Sequence, residues 1–388
     1  MQKMAFKDFI VLQRGFDLPK REMCDGPYPV VGSTSVIGFH NEYKIEPPGV
    51  VTGRSGSLGF VQYITTRYWP HNTSLWVKDF KGNIPGYVYY YLKTLNLQRF
   101  NSGAGVPTLN RNDLDTLEIS IHTVEAQHKI AAILSAYDDQ IENNQRRIKI
   151  MEEIAQNLYR EWFVKFRFPG YEKAKMIVSS LGMIPEGWEV KRFTDVISVL
   201  SGGTPKTSVS EYWNGAIRWF TPRDIGNSFY VTSTERMITK EGLEHCSSKL
   251  YPPDTVFITA RGTVGKCVIT AEDMAMSQTS YALVGHDGIT QFFVYLLSLN
   301  LVDILKKNAT GAVFDTIIVD TFSKLDIITP SPELLKDFTD IVSPTFIMMK
   351  LLIYANKNLI RTRDLLLPKL ISGEIDVSDL DIRVEEAT

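Results

Sequence analysis

Two stretches of this chain carry the same pattern. Pro47-Pro48-Gly49-Val50-Val51-Thr52-Gly53-Arg54-Ser55-Gly56-Ser57-Leu58-Gly59 recurs as Pro252-Pro253-Asp254-Thr255-Val256-Phe257-Ile258-Thr259-Ala260-Arg261-Gly262-Thr263-Val264-Gly265. Setting Gly56 on Gly262 and Gly59 on Gly265 fixes an offset of 206, which also places Asn72-Thr73-Ser74 on Gln278-Thr279-Ser280 and Val88-Tyr89 on Val294-Tyr295. Two residues then enter before Ser102-Gly103-Ala104, which matches Thr310-Gly311-Ala312. From there an offset of 208 carries Leu117-Glu118-Ile119 onto Leu325-Asp326-Ile327, and Glu125 onto Glu333. One shared glycine pair arises by chance; a string of matches in register does not. A chain of 388 residues exceeds a typical single domain, so the duplication predicts two domains on one plan.

Each repeat closes on a long helix. Ile130, Leu134, Tyr137, Ile141, Asn144, Ile148, Met151, Ala155, Leu158 and Trp162 alternate at spacings of four and three, the a/d signature of a packed helix seam. Adding 208 gives Phe338, Val342, Thr345, Met349, Leu352, Asn356, Leu359, Arg363, Leu366 and Leu370, again mostly apolar. Both seams hold a core asparagine, Asn144 and Asn356. Two independent amphipathic helices, each on its own domain, are the alternative. The matched register and paired asparagines favour helices packed on each other, because a buried polar residue fixes register. The expected seam centres on Ile141, Asn144, Ile148 and Met151 with Met349, Leu352, Asn356 and Leu359. Pro344 is expected to kink the second helix or delay its start.

Outside these helices, residues 1–122 and 167–332 are rich in glycine turns, β-branched residues and aromatics. Gly49–Thr52, Gly59–Ile64, Thr255–Ala260 and Lys266–Thr270 read as strands, and Tyr90–Phe100 and Leu296–Lys307 as short helices. The fold class is therefore α+β. The expected division is 1–122, first domain; 123–166, central helix; 167–332, linker and second domain, with Lys165–Ser180 as the linker; 333–375, C-terminal helix; and 376–388, tail.

Bulk properties set limits. With 44% hydrophobic and 22% charged residues the chain suits packed globular units. Apolar runs such as Phe346–Leu352 fall well short of the roughly 20 residues that span a bilayer. The opening Met1-Gln2-Lys3-Met4-Ala5-Phe6-Lys7-Asp8 lacks a signal-peptide core, and three cysteines, Cys24, Cys246 and Cys267, give no disulfide framework. The cytoplasm is the expected location. A net charge of −2 does not by itself suggest a nucleic-acid partner. By segment, residues 1–122 carry 13 Lys and Arg against 10 Asp and Glu, 167–332 carry 16 against 17, and 333–388 carry 7 against 10. A DNA reader with this balance needs its charges segregated by face, or a partner that neutralises phosphate.

The second repeat opens with Met183-Ile184-Pro185-Glu186-Gly187-Trp188-Glu189-Val190, then Ser201-Gly202-Gly203-Thr204-Pro205-Lys206-Thr207 and Tyr212-Trp213-Asn214-Gly215-Ala216-Ile217-Arg218-Trp219-Phe220-Thr221-Pro222-Arg223-Asp224-Ile225. These segments resemble the target-recognition domain of type I restriction–modification specificity subunits. Ile130–Ile141 and Leu158–Val164 resemble that family's first spacer helix, and Arg363–Ile375 the end of its second. The first domain departs from the pattern, opening on Phe6-Lys7-Asp8-Phe9-Ile10 without the Pro-Glu-Gly-Trp-Glu-Val lead-in. The resemblance implies two target-recognition domains related by a pseudo-two-fold, held apart by an antiparallel coiled-coil helix pair, each reading half of a split, asymmetric DNA site. It implies two modification subunits that methylate adenine with S-adenosylmethionine, and restriction subunits that use ATP and magnesium. This chain would bind no cofactor or metal and catalyse nothing.

Catalytic motifs fail on inspection. An amino-methyltransferase needs an acidic or Asn-Pro-Pro-aromatic loop, whereas the Pro-Pro pairs read Glu46-Pro47-Pro48-Gly49 and Tyr251-Pro252-Pro253-Asp254. Gly262-Thr263-Val264-Gly265-Lys266-Cys267 has two residues where a P-loop needs four. Glu189-Val190-Lys191 lacks the preceding Pro-Asp of a nuclease set, and His245, Cys246 and Cys267 lack a fourth zinc ligand.

DNA contact needs donors and acceptors on loops that enter a groove, and cations for phosphate. Glycine-flanked loops let the backbone approach closely. The candidates are Arg54, Ser55, Ser57, Asn72 and Thr73 in the first domain and Arg261, Thr263, Gln278 and Thr279 in the second. Lys206, Thr207, Thr221 and Arg223 follow Gly/Pro breaks, and Lys20 and Arg21 are candidate phosphate contacts. The opposing reading makes these hairpin turns and strand ends that serve their own backbone. The helices act as a ruler: about 37 residues at 1.5 Å each give roughly 55 Å, more than one duplex turn of about 34–36 Å. Arg146-Arg147 and Glu152-Glu153 read as outward charges available for docking modification subunits. Two other readings are a specificity partner of an enzyme fusing cleavage with methylation, and a coiled-coil scaffold with two heads for protein ligands.

Overall fold

The computed structural model describes residues 1–103, 105–226, 228–307 and 316–382, with Lys307 described by its backbone alone. The Thr310-Gly311-Ala312 match, Ala104 and the end of the tail lie outside the described residues. The chain forms two compact units, Met1–Asn144 with Ala355–Thr388, and Gln145–Tyr354. Each takes one sheet-containing domain and a portion of both long helices, so compactness cuts across the five segments expected from sequence.

In the first unit β1 (Gln2–Ala5) leads into the short α1 (Phe6–Phe9) and β2 (Val11–Arg14). There follow β3 (Tyr28–Val31), β4 (Val36–His40), β5 (Gly49–Gly53), β6 (Val61–Ile64), β7 (Trp69–Pro70) and β8 (Ser74–Asp79). They form a four-stranded sheet, β2-β8-β5-β6, and a three-stranded one, β4-β3-β7. Helix α2 (Pro85–Thr94) packs on β5 and β6, and α3 (Asn112–Asp115) precedes β9 (Glu118–Ile121), which pairs with β1. Helix α4 (Val124–Tyr159) leaves this domain and ends in a π-helical turn, Arg160–Val164.

The second unit opens with a hairpin, β10 (Met176–Ser179) on β11 (Gly182–Pro185), so the expected linker Lys165–Ser180 includes a strand. Next come β12 (Glu189–Arg192), α5 (Phe193–Val196), β13 (Ile197–Ser201), β14 (Trp213–Phe220), β15 (Tyr230–Val231), β16 (Met237–Ile238) and α6 (Lys240–Glu244). Then follow β17 (Val256–Thr259), β18 (Cys267–Thr270), β19 (Met274–Met276), β20 (Ser280–Gly285), α7 (Gln291–Lys307), α8 (Val319–Ser323), β21 (Asp326–Thr329) and α9 (Pro332–Ser372). The sheets run β13-β20-β17-β18-β15 and β16-β14-β19, with β12 on β21.

The duplication is visible in backbone detail. Arg14 and Thr52 face Leu75 in the first sheet, and Ser201 and Ile258 face Tyr281 in the second. The Phe6 amide donates to the Leu117 carbonyl at 2.9 Å, and the Phe193 amide to that of Leu325 at 2.8 Å. Strand β1 on β9 repeats β12 on β21, so the first domain has its entry strand without the Pro-Glu-Gly-Trp lead-in.

Several boundaries differ from expectation. Tyr90–Phe100 is two pieces: α2 begins at Pro85, which suits the first helical position, and ends at Thr94 before a separate 3₁₀ turn, Leu97–Phe100. Helix α7 starts at Gln291, five residues before the expected Leu296. Strand β6 starts at Val61 because Gly59, at φ +89°, still belongs to the turn. Pro344 does not delay α9, which begins at Pro332 and carries Pro344 on an exposed face.

In the first unit Ile130 and Leu134 of α4 share a core with Leu367 and Leu370 of α9. Ile141 and Asn144 are buried there with Asn356, while Leu359 is half-buried. In the second unit Ile148, Met151, Tyr159, Trp162 and Phe163 meet Phe338, Val342, Phe346 and Met349, and Leu352 is half-buried. The helices thus run antiparallel within each unit. Helix α9 holds a window of mean hydropathy 1.3, 28% buried, which is long and apolar enough to cross a membrane by length and composition.

Candidate nucleic-acid interface

In the first domain the amides of Arg54 and Ser55 both donate to the Thr73 carbonyl, at 2.9 and 3.0 Å, and the Arg54 carbonyl accepts from the Leu109 amide at 2.8 Å. The Ser33 hydroxyl sits 2.7 and 2.8 Å from the carbonyl oxygens of Ser55 and Thr73. The turn after β5 is therefore fixed through its backbone, leaving side chains to project. The Arg54 guanidinium donates to the Asn72 carbonyl at 3.3 Å, and Ser57 is exposed. The Asn72 amide donates to Asp17, and that bond, with Arg14 nearby, holds the Asp17 carboxyl below the usual carboxylate range. Thr73 Oγ1 is 2.9 Å from His71 Nδ1, and burial pulls the His71 imidazole below its ordinary value. Lys20 and Arg21 are exposed on a single 3₁₀ turn, where Arg21 pairs with Glu22.

The second domain repeats the bonding with other side chains. The amides of Ala260 and Arg261 donate to the Thr279 carbonyl at 2.8 and 3.2 Å, and the Ala260 carbonyl accepts from the Ile317 amide at 3.1 Å. Ala260 thus occupies the place of Arg54, and Arg261 that of Ser55. Arg261, Thr263 and Gln278 are exposed; the Thr204 hydroxyl donates to Gln278, and the hydroxyls of Thr279 and Ser277 are 2.7 Å apart. Lys206, Thr207 and Arg223 are exposed as well. Thr221 is committed as a donor: its amide and hydroxyl both donate to Asp224, at 2.7 and 3.0 Å, closing the turn Pro222–Asp224.

The structure adds residues that sequence reading missed. An open cavity of about 810 Å³ in the first unit is lined by Arg14, Arg54, Lys78 and Arg111, with no acidic residue in its wall among the described residues. These cations come from separate segments, so no spacing rule links them; only the pairing of β2 with β8 and the 108–111 turn unites them. A second cavity, about 420 Å³, lies in the second unit and is lined by Glu152, Cys267, Tyr295, Lys266 and Lys306 among others. Burial pushes the Cys267 thiol up to about 12, leaving it protonated. Glu152 is not the outward charge expected from sequence. It is half-buried, accepts from the Tyr295 hydroxyl at 3.2 Å, and burial raises its carboxyl. Arg147 and Glu153 are exposed. Among the described residues no group of three or more His, Cys, Asp or Glu is placed to hold a metal ion.

Residues 1–153 and 185–345 match the family model described as the type I restriction modification DNA specificity domain. The chain belongs to that family. Its function is that of a specificity subunit, the recognition of DNA sequence. It is 31% identical to the MjaIX specificity subunit of Methanocaldococcus jannaschii over 176 residues, 44% of this chain and 40% of that protein. It is 26% identical to the HindI specificity subunit of Haemophilus influenzae over 329 residues, 69% of this chain and 71% of that one. The crystal structure of the type I restriction–modification S subunit from M. genitalium superposes with a TM-score of 0.65, at 16% identity, over 95% of this chain and 96% of that one. That last likeness is one of fold.

Proposed function

We propose that the two domains of this specificity subunit read the two parts of a split, asymmetric DNA site. One observation carries the proposal: the same hydrogen-bonded turn presents Arg54 and Ser55 in one domain, but Ala260 and Arg261 in the other. One scaffold with two sets of projecting groups suits two different half-sites, since base edges are told apart by the donors and acceptors offered to them. Arg54, Ser55, Ser57, Asn72 and Thr73 face the first half-site, with Lys20 and Arg21 on phosphate. Arg261, Thr263, Gln278 and Thr279 face the second, with Lys206, Thr207 and Arg223 beside them. Thr221 stands with them as an acceptor, its hydroxyl hydrogen being given to Asp224.

The helix pair sets the distance between the half-sites, and its exposed faces dock two modification subunits that methylate adenine with S-adenosylmethionine. Restriction subunits driven by ATP and magnesium complete the assembly in the cytoplasm, and this chain contributes no catalytic step. The test is a genome-wide map of methylated adenines in cells with and without the gene. A split motif that vanishes on deletion supports the reading; an unchanged map, with the modification subunit expressed, refutes it.

A further inference from the structure

We propose that the cavity of the first domain is a clamp for the phosphodiester backbone of DNA, and that the second domain has no equivalent clamp among its described residues. The proposal rests on the DNA-reading role above and assigns its salt-dependent part to one domain. Four cations, Arg14, Arg54, Lys78 and Arg111, line the cavity, and among the described residues no carboxylate does. Residues 1–122 carry a surplus of only three positive charges, 13 against 10. With the four cavity cations set aside, the rest of residues 1–122 holds 9 positive against 10 negative, so the positive charge that a polyanion needs lies at this one place.

The arginines are held ready. The guanidinium of Arg111 donates to the Leu12 carbonyl at 3.2 Å and that of Arg54 to the Asn72 carbonyl at 3.3 Å. One anchoring bond leaves most of the five donors of each fork available. Arg14 pairs with Asp17 at 2.8 Å, but both side chains are half exposed or more, 50% and 65%. A phosphate can displace such a solvated pair.

The matching positions of the second domain are neutral. Ser201 stands opposite Tyr281 as Arg14 stands opposite Leu75, and Ala260 replaces Arg54. The offset of 206 along β20 puts Val284 at Lys78, and the offset of 208 puts Val319 at Arg111. A backbone kept in both copies, with all four cations replaced in one, points to a function that only the other performs.

The experiment measures binding of the chain, assembled with its modification subunits, to a duplex bearing its methylated motif, between 50 and 200 mM KCl. Lys78→Gln, Arg14→Gln and Arg111→Gln should each lower the slope of log K against log salt by about 0.9 for every phosphate the variant no longer neutralises. Binding should weaken equally on duplexes altered in either half-site, with the methylated motif unchanged, and Lys78→Arg should keep the slope. Lys78 is exposed, so its two variants decide the matter even if an arginine variant fails to fold. A wild-type slope in Lys78→Gln, or altered motif bases at an unchanged slope, overturns the clamp alone. No salt-dependent binding by the wild-type assembly overturns the clamp and the DNA-reading role together.

Discussion

Arg14 and Ser201 occupy one place in two sheets, and around them the copies diverge: Arg54 against Ala260, Lys78 against Val284, Arg111 against Val319. The backbone beneath them does not. At the next position both copies keep glycine, Gly15 and Gly202, where a Cβ would come 2.2 Å from the carbonyl oxygen of His71 or Ser277. The contrast shows which constraint acts where. A side chain facing a backbone at that range has no alternative, whereas one facing solvent is free to follow whatever DNA it meets. The joints to the long helices also differ. In the first unit the Tyr90 hydroxyl donates to Asp138 at 2.6 Å and Arg363 pairs with the same carboxylate. In the second, Tyr295 donates to Glu152 and packs its ring against Phe229 and Phe346.

The largest effect expected from breaking this contrast lies in the seam. In the first unit the Asn144 side-chain amide donates to Asn356 Oδ1 at 2.8 Å, and Asn356 donates to the Ile141 carbonyl at 3.3 Å, both asparagines being buried. Asn144→Leu leaves a buried acceptor unmatched and should cost about 1–3 kcal/mol in denaturant unfolding. The double variant Asn144→Leu/Asn356→Leu should recover most of that, because apolar pairs in a seam are stable and lose only register control. A neutral single variant, or a double one whose cost equals the sum of the two singles, would mean that the pair is not coupled.

A smaller effect is expected from giving the second domain what it lacks. Ser201→Arg places a guanidinium where Arg14 stands in the first copy and should steepen the salt slope by up to about 0.9, a roughly threefold larger loss of affinity from 50 to 200 mM salt. If the slope stays put, the DNA backbone does not pass the second domain as it passes the first.

The repeat, the helix seam and the turns at Arg54 and Arg261 were readable in the sequence because each is a local pattern or a fixed offset. Asn144 and Asn356 stood out for the same reason, as polar residues at apolar spacings. Arg14, Lys78 and Arg111 were not readable: they converge only once β2 pairs with β8, across some sixty residues of intervening chain. Thr221 looked like a loop donor because its partner, Asp224, looked equally free. Glu152 looked solvated because it is one of two consecutive glutamates in the sequence; what buries it is the second domain, packed on that helix through Tyr295.

Glu152 gives the smallest effect and the sharpest contrast between the joints. Asp138 has the Arg363 guanidinium to balance its charge, whereas Glu152 accepts from neutral groups, the Tyr295 hydroxyl at 3.2 Å and the Gln156 amide at 3.3 Å. Burial outweighs these bonds and raises its carboxyl above the usual value. The folded protein therefore holds this proton more tightly than the unfolded chain. Stability falls as pH rises from about 4.5 through the raised folded value, and is level above it. Glu152→Gln keeps an oxygen to accept from Tyr295 and removes the ionisation. Its melting temperature should exceed that of the wild type at pH 8, with the gap closing as the pH is brought down towards 4.5. A gap of the same size at both ends of that range would mean that packing, not charge, separates the two proteins. In the first unit Asp138→Asn should behave oppositely at pH 8, because it removes the charge on which Arg363 depends.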